Sequence, residues 1–480
     1  MPHMNYRMIS YILGCILLFE AAFMTVPIIT ALVYSETAVV SFAITLVICA
    51  AVGGLLMLTK PRNFKIYSRE GYVIVSLSWI VLSVFGAIPF MLSGAIPSFI
   101  DALFETVSGF TTTGATILTE VESLPKSVLM WRSFTHWIGG MGVLVFMMAF
   151  LPLCGGQNMH IMKAESTGPS VGKLVPRVKT TAMLLYSIYF VLTLLQFIAL
   201  LIAGMDVFEA LNTSFATAGT GGFGVKNDSL AGYSPAVQII VTVFMLLFSV
   251  NFTCYFLIIS GKLREAFNLE LRIFLVIVFA AVAIITLNIS YQYNNIGDAV
   301  RDSAFTVASI ISTTGFSTAD FDLWPELSRT ILVLLMFIGA CAGSTGGGIK
   351  VTRIIILFKS MGKELQSLAH PKQIKKIKVD GHPIEHDVVR SVNVHMVCFM
   401  LVFVISLVAI SFENNDLITN FTAVAASMNN IGPGLDMVGP TQNFEFFTPF
   451  SKSVLIFDML AGRLELFPML MLFSPHTWKK

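Results

Sequence analysis

Phe110-Thr111-Thr112-Thr113-Gly114-Ala115-Thr116 has three weaker echoes along the chain: Thr220-Gly221-Gly222-Phe223, Ser312-Thr313-Thr314-Gly315-Phe316 and Asn429-Asn430-Ile431-Gly432-Pro433. Each follows an apolar stretch too short to cross a bilayer, set between two stretches long enough to do so. With Gly114, Gly222, Gly315 and Gly432 as common points, counting back the same distance without a gap reaches Ala102, Ala210, Ser303 and Asn420. From these run helix-like stretches, Ala102–Phe110, Ala210–Ala218, Ser303–Ile311 and Asn420–Met428. About 12 residues at about 1.5 Å each reach about 18 Å, a little over half of a hydrocarbon core about 30 Å thick. A helix of that length must enter and leave by one side. Asp101, Glu209, Asp302 and Asp416 lie at or just before the starts, where a carboxylate complements the positive end of the helix dipole.

The surrounding composition agrees. Of 480 residues, 55% are hydrophobic and 12% charged, against about 25% charged in a soluble domain, and the mean hydropathy is +0.80. This is the composition of a polytopic membrane protein. The net charge of +2 hides a division between loops and by itself argues nothing about nucleic acid, and no nucleic-acid partner is expected. Cys15, Cys49, Cys154, Cys254, Cys341 and Cys398 are scattered singly, without CxxC or His/Cys metal spacing. The run Tyr11–Val33 is longer than a signal-peptide core and reads as a retained helix.

On the length criterion of about 20 apolar residues, the spans are Tyr11–Val33, Ala38–Leu58, Tyr72–Leu92, Val128–Leu151, Thr180–Ala203, Pro235–Ser260, Leu271–Ile289, Ile331–Phe358, Val392–Phe412 and Ser453–Phe473. The expected fold is therefore all-α and polytopic. Four parallel pseudo-repeats of helix, pore half-helix, filter loop and helix surround a central pore, preceded by two extra transmembrane helices. The divisions are 1–70 for the two leading helices, 71–160 for repeat one, 161–265 for repeat two, 266–375 for repeat three and 376–480 for repeat four.

Lys and Arg set the orientation. Arg7, Lys60, Arg62, Lys65, Arg69, Lys163, Lys173, Arg177, Lys179, Lys262, Arg264, Arg272, the cluster from Lys350 to Arg390 and Lys479-Lys480 fall on one side. The side bearing the four inserts has only Lys126, Lys226, Arg301 and Arg329, against Glu120, Glu122, Asp228, Asp320, Asp322, Glu326, Asp436 and Glu445. Both chain ends are expected in the cytoplasm, the half-helices to dip in from outside, and the outer vestibule to be acidic enough to concentrate cations.

A dehydrated monovalent cation needs a cage of oxygen dipoles, and non-helical backbone at membrane depth is tolerated where it lines a watery cavity. Four loops around one axis can turn their carbonyls inward as that cage. Glycine permits the required backbone angles, and threonine can add a hydroxyl or hold the loop. The candidate ligands of the ion are Thr112, Thr113, Gly114, Thr220, Gly221, Gly222, Thr313, Thr314, Gly315, Asn430, Ile431 and Gly432. None of the four glycine positions carries a charged residue, which argues against a carboxylate ring or an anion pore and for K+.

The four loops, the run Cys341-Ala342-Gly343-Ser344-Thr345-Gly346-Gly347-Gly348-Ile349-Lys350 and Ala461-Gly462-Arg463-Leu464-Glu465 resemble the TrkH/KtrB/HKT superfamily of potassium transporters, over nearly the whole chain. The two leading helices are similar to those of its longer, TrkH branch. The resemblance implies a bacterial inner-membrane K+ uptake subunit, a homodimer with one pore in each protomer, seated on a cytosolic ring of nucleotide-binding TrkA-type subunits. K+ is then cargo, and no organic cofactor is expected. The fourth loop departs by lacking threonine, and the second has Thr220 as its only hydroxyl; weaker selectivity is the expectation.

The glycine run is no Walker A loop, because Ile349 separates Gly348 from Lys350 and no strand precedes it. Close helix packing is one reading; the other, shared by the resemblance, is a flap across the cytoplasmic half of the pore formed by Gly343, Ser344, Thr345, Gly346, Gly347, Gly348 and Lys350. Arg463 either pairs with Asp458 or Glu465, or lines the pathway as a positive barrier. The basic segment Lys359–Arg390 is an orientation signal beside anionic lipid or a docking surface for the regulatory subunit. A symporter coupling K+ to Na+ or H+ remains the alternative function. A membrane enzyme lacks support: there is no HExxH and no GxSxG, and His136 and His395 stand alone.

Overall fold

The computed structural model describes residues 4–61, 67–142, 178–371 and 376–478. It is built almost wholly of helices. Among the described residues, those of seven residues or more are, in chain order, α1 (Tyr6–Phe23), α2 (Thr25–Val33), α3 (Val39–Met57), α4 (Ser68–Leu92), α5 (Phe99–Phe110), α6 (Lys126–Gly140), α7 (Val178–Ile202), α8 (Val207–Gly219), α9 (Pro235–Ser249), α10 (Phe252–Ile259), α11 (Leu269–Ile289), α12 (Ile296–Ile311), α13 (Glu326–Ile338), α14 (Val351–Ala369), α15 (His386–Ile410), α16 (Leu417–Met428), α17 (Pro449–Arg463) and α18 (Phe467–Phe473). A two-residue antiparallel pair, Lys378–Val379 with His382–Pro383, punctuates the basic segment.

The four short helices α5, α8, α12 and α16 begin earlier than the apolar runs alone indicate, because capping residues set their starts. Ser98, Asp206, Asn295 and Asp416 each accept a first-turn N–H with the side chain. Asp101 and Glu209 occupy first turns as expected, and Asp416 is itself a cap. Asp302 does not mark a start: Asp298 holds that place, and Asp302 lies deeper, accepting from Thr318 Oγ1 at 3.2 Å.

These short helices form the interior. Phe104, Phe110, Ala210, Ala216, Phe305, Ile310, Ala423 and Ala425 are fully buried. The long helices wrap them and turn apolar side chains outward, among them Val47, Val276, Phe279, Leu287, Leu401, Ile405 and Val408. That inverts the soluble pattern and suits hydrocarbon surroundings.

Among the described residues, six segments are long and apolar enough to cross a membrane, and the pair α9–α10, bent by 92°, makes a seventh. Among the described residues, three of the ten expected spans break where the backbone leaves the helical region. The sixth breaks at Val250, whose backbone is extended, before Asn251 caps α10. The eighth breaks from Gly339 (φ +66°) to Lys350, and the tenth at Glu465 (φ +55°) and Leu466 (φ +68°). Hydropathy registers side chains and so cannot see these backbone turns. The fourth follows α6 to Gly140; its second half lies outside the described residues, as do Cys154, Arg62, Lys65, Lys163, Lys173, Arg177, Lys372, Lys375, Lys479 and Lys480.

Candidate functional site

Each short helix ends in the same way. The N–H groups of Thr112 and Thr113 return to Gly109 O (3.2 Å) and Ser108 O (2.9 Å). Thr220 and Gly221 repeat this with Thr217 O and Ala216 O, Thr313 and Thr314 with Ile310 O and Ser309 O, and Asn430 and Ile431 with Ser427 O and Ala426 O. The six-to-one bond is that of a Schellman cap, which requires a left-handed residue, usually glycine. Here Thr112 (φ +56°), Thr220 (φ +56°), Thr313 (φ +59°) and Asn430 (φ +55°) take it.

Two residues on, Gly114 (φ +81°), Gly222 (φ +78°), Gly315 (φ +85°) and Gly432 (φ +101°) are left-handed again. Alternating hand turns successive peptide planes over, so that carbonyls line up on one side instead of opposing one another. The glycines also meet. A Cβ on Gly114 would overlap the carbonyl oxygen of Gly221, one on Gly222 that of Thr314, and one on Gly315 that of Ile431. One on Gly432 would stand 2.8 Å from Thr113 O. Each obstructing carbonyl belongs to the residue just before the next loop's glycine, so the four loops follow one another in a closed ring.

All twelve expected ion ligands therefore belong to one ring. The hydroxyls serve largely to hold it. Thr111 and Thr113 share a 2.8 Å bond, Ser312 and Thr314 a 2.6 Å bond, and Thr220 Oγ1 donates to Gly219 O at 2.6 Å. Asn430 stands where the other loops have threonine, and its Nδ2 donates to Thr113 Oγ1 and Met459 O, both at 2.9 Å. The fourth loop thus lacks a hydroxyl but is tied to the first.

On the outer-loop side of the ring lies a cavity of about 160 Å³, bounded by Gly114, Gly222, Gly315 and Gly432. Its charged lining residues are Arg132 and Lys226, so the expected acidic vestibule is not found at the ring. The acids join loops instead: Glu120 and Glu122 accept from Asn227 Nδ2 (2.8 Å) and N–H (3.1 Å), Glu209 pairs with Lys226 (3.6 Å), and Asp320 accepts from Thr441 (3.4 Å).

The glycine run lies against the opposite side of the ring. Gly347 N–H donates to Thr313 Oγ1 at 2.6 Å. A Cβ on Gly346 would come 2.9 Å from Ser312 O, and one on Gly347 2.5 Å from Asn429 O. The segment thus presses on the ends of α12 and α16 with no room for side chains. Ser344 Oγ bonds Cys341 O (2.6 Å), Thr345 Oγ1 bonds Phe248 O (3.2 Å), and Ala342 N–H donates to Glu270 Oε1 (2.7 Å). Gly343 accepts from Phe252 N–H at 3.1 Å and, like Gly348, has positive φ. Lys350 is buried and folds its Nζ back onto the carbonyls of Gly346 and Gly347.

Arg463 donates to Thr345 O (2.8 Å), Gly139 O (2.6 Å) and Gly140 O (3.0 Å). It thereby joins the end of α17 to the glycine-rich segment and to the end of α6. The two acids weighed as its partners are engaged elsewhere: Glu465 with Arg353, and Asp458 with Ser406 Oγ at 2.6 Å.

Sequence reasoning missed Glu105 and Arg132, and saw in His136 only a histidine standing alone. His136 Nε2 accepts from Phe223 N–H (3.2 Å), so its Nδ1 carries the hydrogen that meets Gly109 O (2.7 Å), joining the first loop's helix to the second loop. Arg132 carried a usable signal: a charge inside the apolar run Val128–Leu151 demands a partner. Which acid answers it could not be read from order along the chain.

A ring of backbone carbonyls inside a bundle of apolar helices is the equipment of a membrane cation-transport protein. The profile of the TrkH family, described as cation transport proteins, matches residues 39–480. The chain is 37% identical over 485 residues to the Trk system potassium uptake protein TrkH of Escherichia coli (strain K12), covering 99% of this chain and all of that one. It is 33% identical over 483 residues to TrkG of the same organism, covering 99% of each. The crystal structure of the potassium transporter TrkH from Vibrio parahaemolyticus superposes with a TM-score of 0.88 at 35% identity, covering 99% of this chain and all of that one. The chain belongs to the TrkH family of Trk potassium-uptake transporters. It is a multi-pass membrane protein, and the family moves an ion rather than catalysing a covalent reaction.

Proposed function

We propose that this chain is the K+-conducting subunit of a bacterial Trk uptake system and that the four-loop ring is its selectivity filter. The observation that carries the reading is the closed order of Gly114, Gly222, Gly315 and Gly432, each against the carbonyl preceding the next. Four loops arranged in that way offer backbone carbonyls that replace the hydration shell of a dehydrated K+ without a fixed charge.

In this reading α5, α8, α12 and α16 are pore half-helices of four parallel repeats, 71–160, 161–265, 266–375 and 376–480, and the first 70 residues supply two leading transmembrane helices. The segment Gly343–Lys350 is the gate, held shut by Thr313, Glu270 and Arg463, and α14 is the arm through which a cytosolic TrkA-type nucleotide-binding subunit moves it. The protein works as a homodimer in the inner membrane, among lipid, with both termini in the cytoplasm. K+ is cargo, and no organic cofactor is needed.

Purified protein in liposomes, assayed for K+ and Na+ flux under imposed gradients, tests this. Selective K+ flux driven by the K+ gradient alone is expected. Uptake that requires a Na+ or H+ gradient would replace the channel-like reading with a symporter.

A further inference from the structure

The joints between neighbouring loops are unequal. The second and third loops meet through Leu230 N–H to Ser317 O (3.0 Å) and Ser317 N–H to Ser229 Oγ (3.2 Å). The fourth and first meet through Asn430 and Thr113 and through Phe444 N–H to Thr116 O (2.8 Å). Between the first and second stands a buried ion pair: Arg132 Nε lies 2.8 Å from Glu105 Oε1, with side chains 2% and 0% exposed.

Both members are fully engaged with the loops. Glu105, on α5, accepts from Thr116 Oγ1 (3.0 Å) and Ile117 N–H (3.1 Å), the residues that follow the first loop's glycine. Arg132, on α6, donates to Gly224 O of the second loop (3.3 Å) and to Thr116 Oγ1 (3.4 Å), and its guanidinium lies 4.1 Å from the centre of the Phe223 ring. The planar fork thus spans the joint, with one edge on each loop, a geometry that a lysine point charge cannot reproduce. Because Arg132 also lines the cavity outside the ring, an arriving cation meets its charge at close range, and Glu105 is the group placed to neutralise it.

We propose that Glu105 and Arg132 are positioning residues that set K+ over Na+ discrimination, by fixing the separation of the first and second loops against collapse around the smaller ion. The proposal rests on the filter reading above. An element that only stabilised the fold would need neither edge on a loop carbonyl nor a place at the mouth of the ring.

The test uses full-length protein in liposomes, with K+ and Na+ flux measured side by side. Arg132→Lys retains a charge beside Glu105 and gives up the fork; the double variant Glu105→Gln with Arg132→Gln removes both charges at similar volume, an exchange that buried pairs often tolerate. Both are expected to lower the K+-to-Na+ flux ratio by about fivefold or more with K+ flux still measurable, and Glu105→Gln alone to weaken K+ flux by about tenfold, because the Arg132 charge then faces arriving cations without its counter-charge. An unchanged ratio in either folded variant overturns the proposal. Loss of assembled protein in both assigns the pair to folding and overturns it equally. Wild-type flux without K+ preference, or Gly222→Ser with an unchanged ratio, would instead sink the filter reading beneath it.

Discussion

Thr112, Thr220, Thr313 and Asn430 occupy the left-handed cap position that helices ordinarily fill with glycine. The conformation costs a non-glycine residue about 1–2 kcal/mol, and it persists where surroundings over-determine it. In the third loop the compensation is visible: the Thr313 hydroxyl accepts Gly347 N–H from the proposed gate. Thr313→Ala keeps the strain and removes that acceptor, leaving a buried N–H unsatisfied at a cost of about 1–3 kcal/mol. We expect K+ leak without a partner subunit to rise several-fold in liposome flux; leak at the wild-type level would detach Thr313 from gating. Arg463→Ala, which releases the carbonyls of Thr345, Gly139 and Gly140, is expected to increase conductance in single-channel recording, and a lower conductance in folded protein would count against it. The four glycines were legible as residues. The left-handed threonines beside them were not, because nothing in a threonine announces a positive φ.

At the scale of elements, the ends of the short helices were readable from the Thr/Gly punctuation and their starts were not. The apolar run says where burial begins, whereas Ser98, Asp206, Asn295 and Asp416 decide where the first turn closes. Asp206→Ala is expected to lower unfolding stability by about 1 kcal/mol in detergent melts while leaving flux selectivity intact; altered selectivity would mean that the cap acts on the ring. The breaks after the loops divide similarly. The glycine run shows the one after the third loop, but Val250 and Leu466 look like ordinary membrane residues while their backbones leave the helix. Shortening Gly346–Gly348 by one residue is expected to raise partner-free K+ flux, since the segment fits between Ser312 O and Asn429 O with no slack. Unchanged flux in a folded variant would favour plain packing.

Over the whole molecule, composition and Lys/Arg asymmetry were enough to place the chain in a bilayer and to propose its sense. A single cysteine at Asn443 in a background without native cysteines should label from outside intact cells, and one at Glu385 only after permeabilisation; the reverse would invert the proposed topology. Charge counting misled at the vestibule. It records how many acids a side carries and not where they stand: Glu120, Glu122 and Asp320 accept from neighbouring loops, while the charged residues lining the cavity at the ring are Arg132 and Lys226.

The uniform endings of α5, α8, α12 and α16 carry one more consequence. A helix presents about half a negative elementary charge at its C-terminus, and four such ends converge on the ring, a field of about two charges drawn from peptide dipoles alone. Peptide dipoles do not titrate. If they supply the attraction, K+ affinity should stay flat from about pH 7 to about pH 4, a window in which ordinary carboxylates become about half protonated. A site drawing on ionised side chains would weaken over the same acid range.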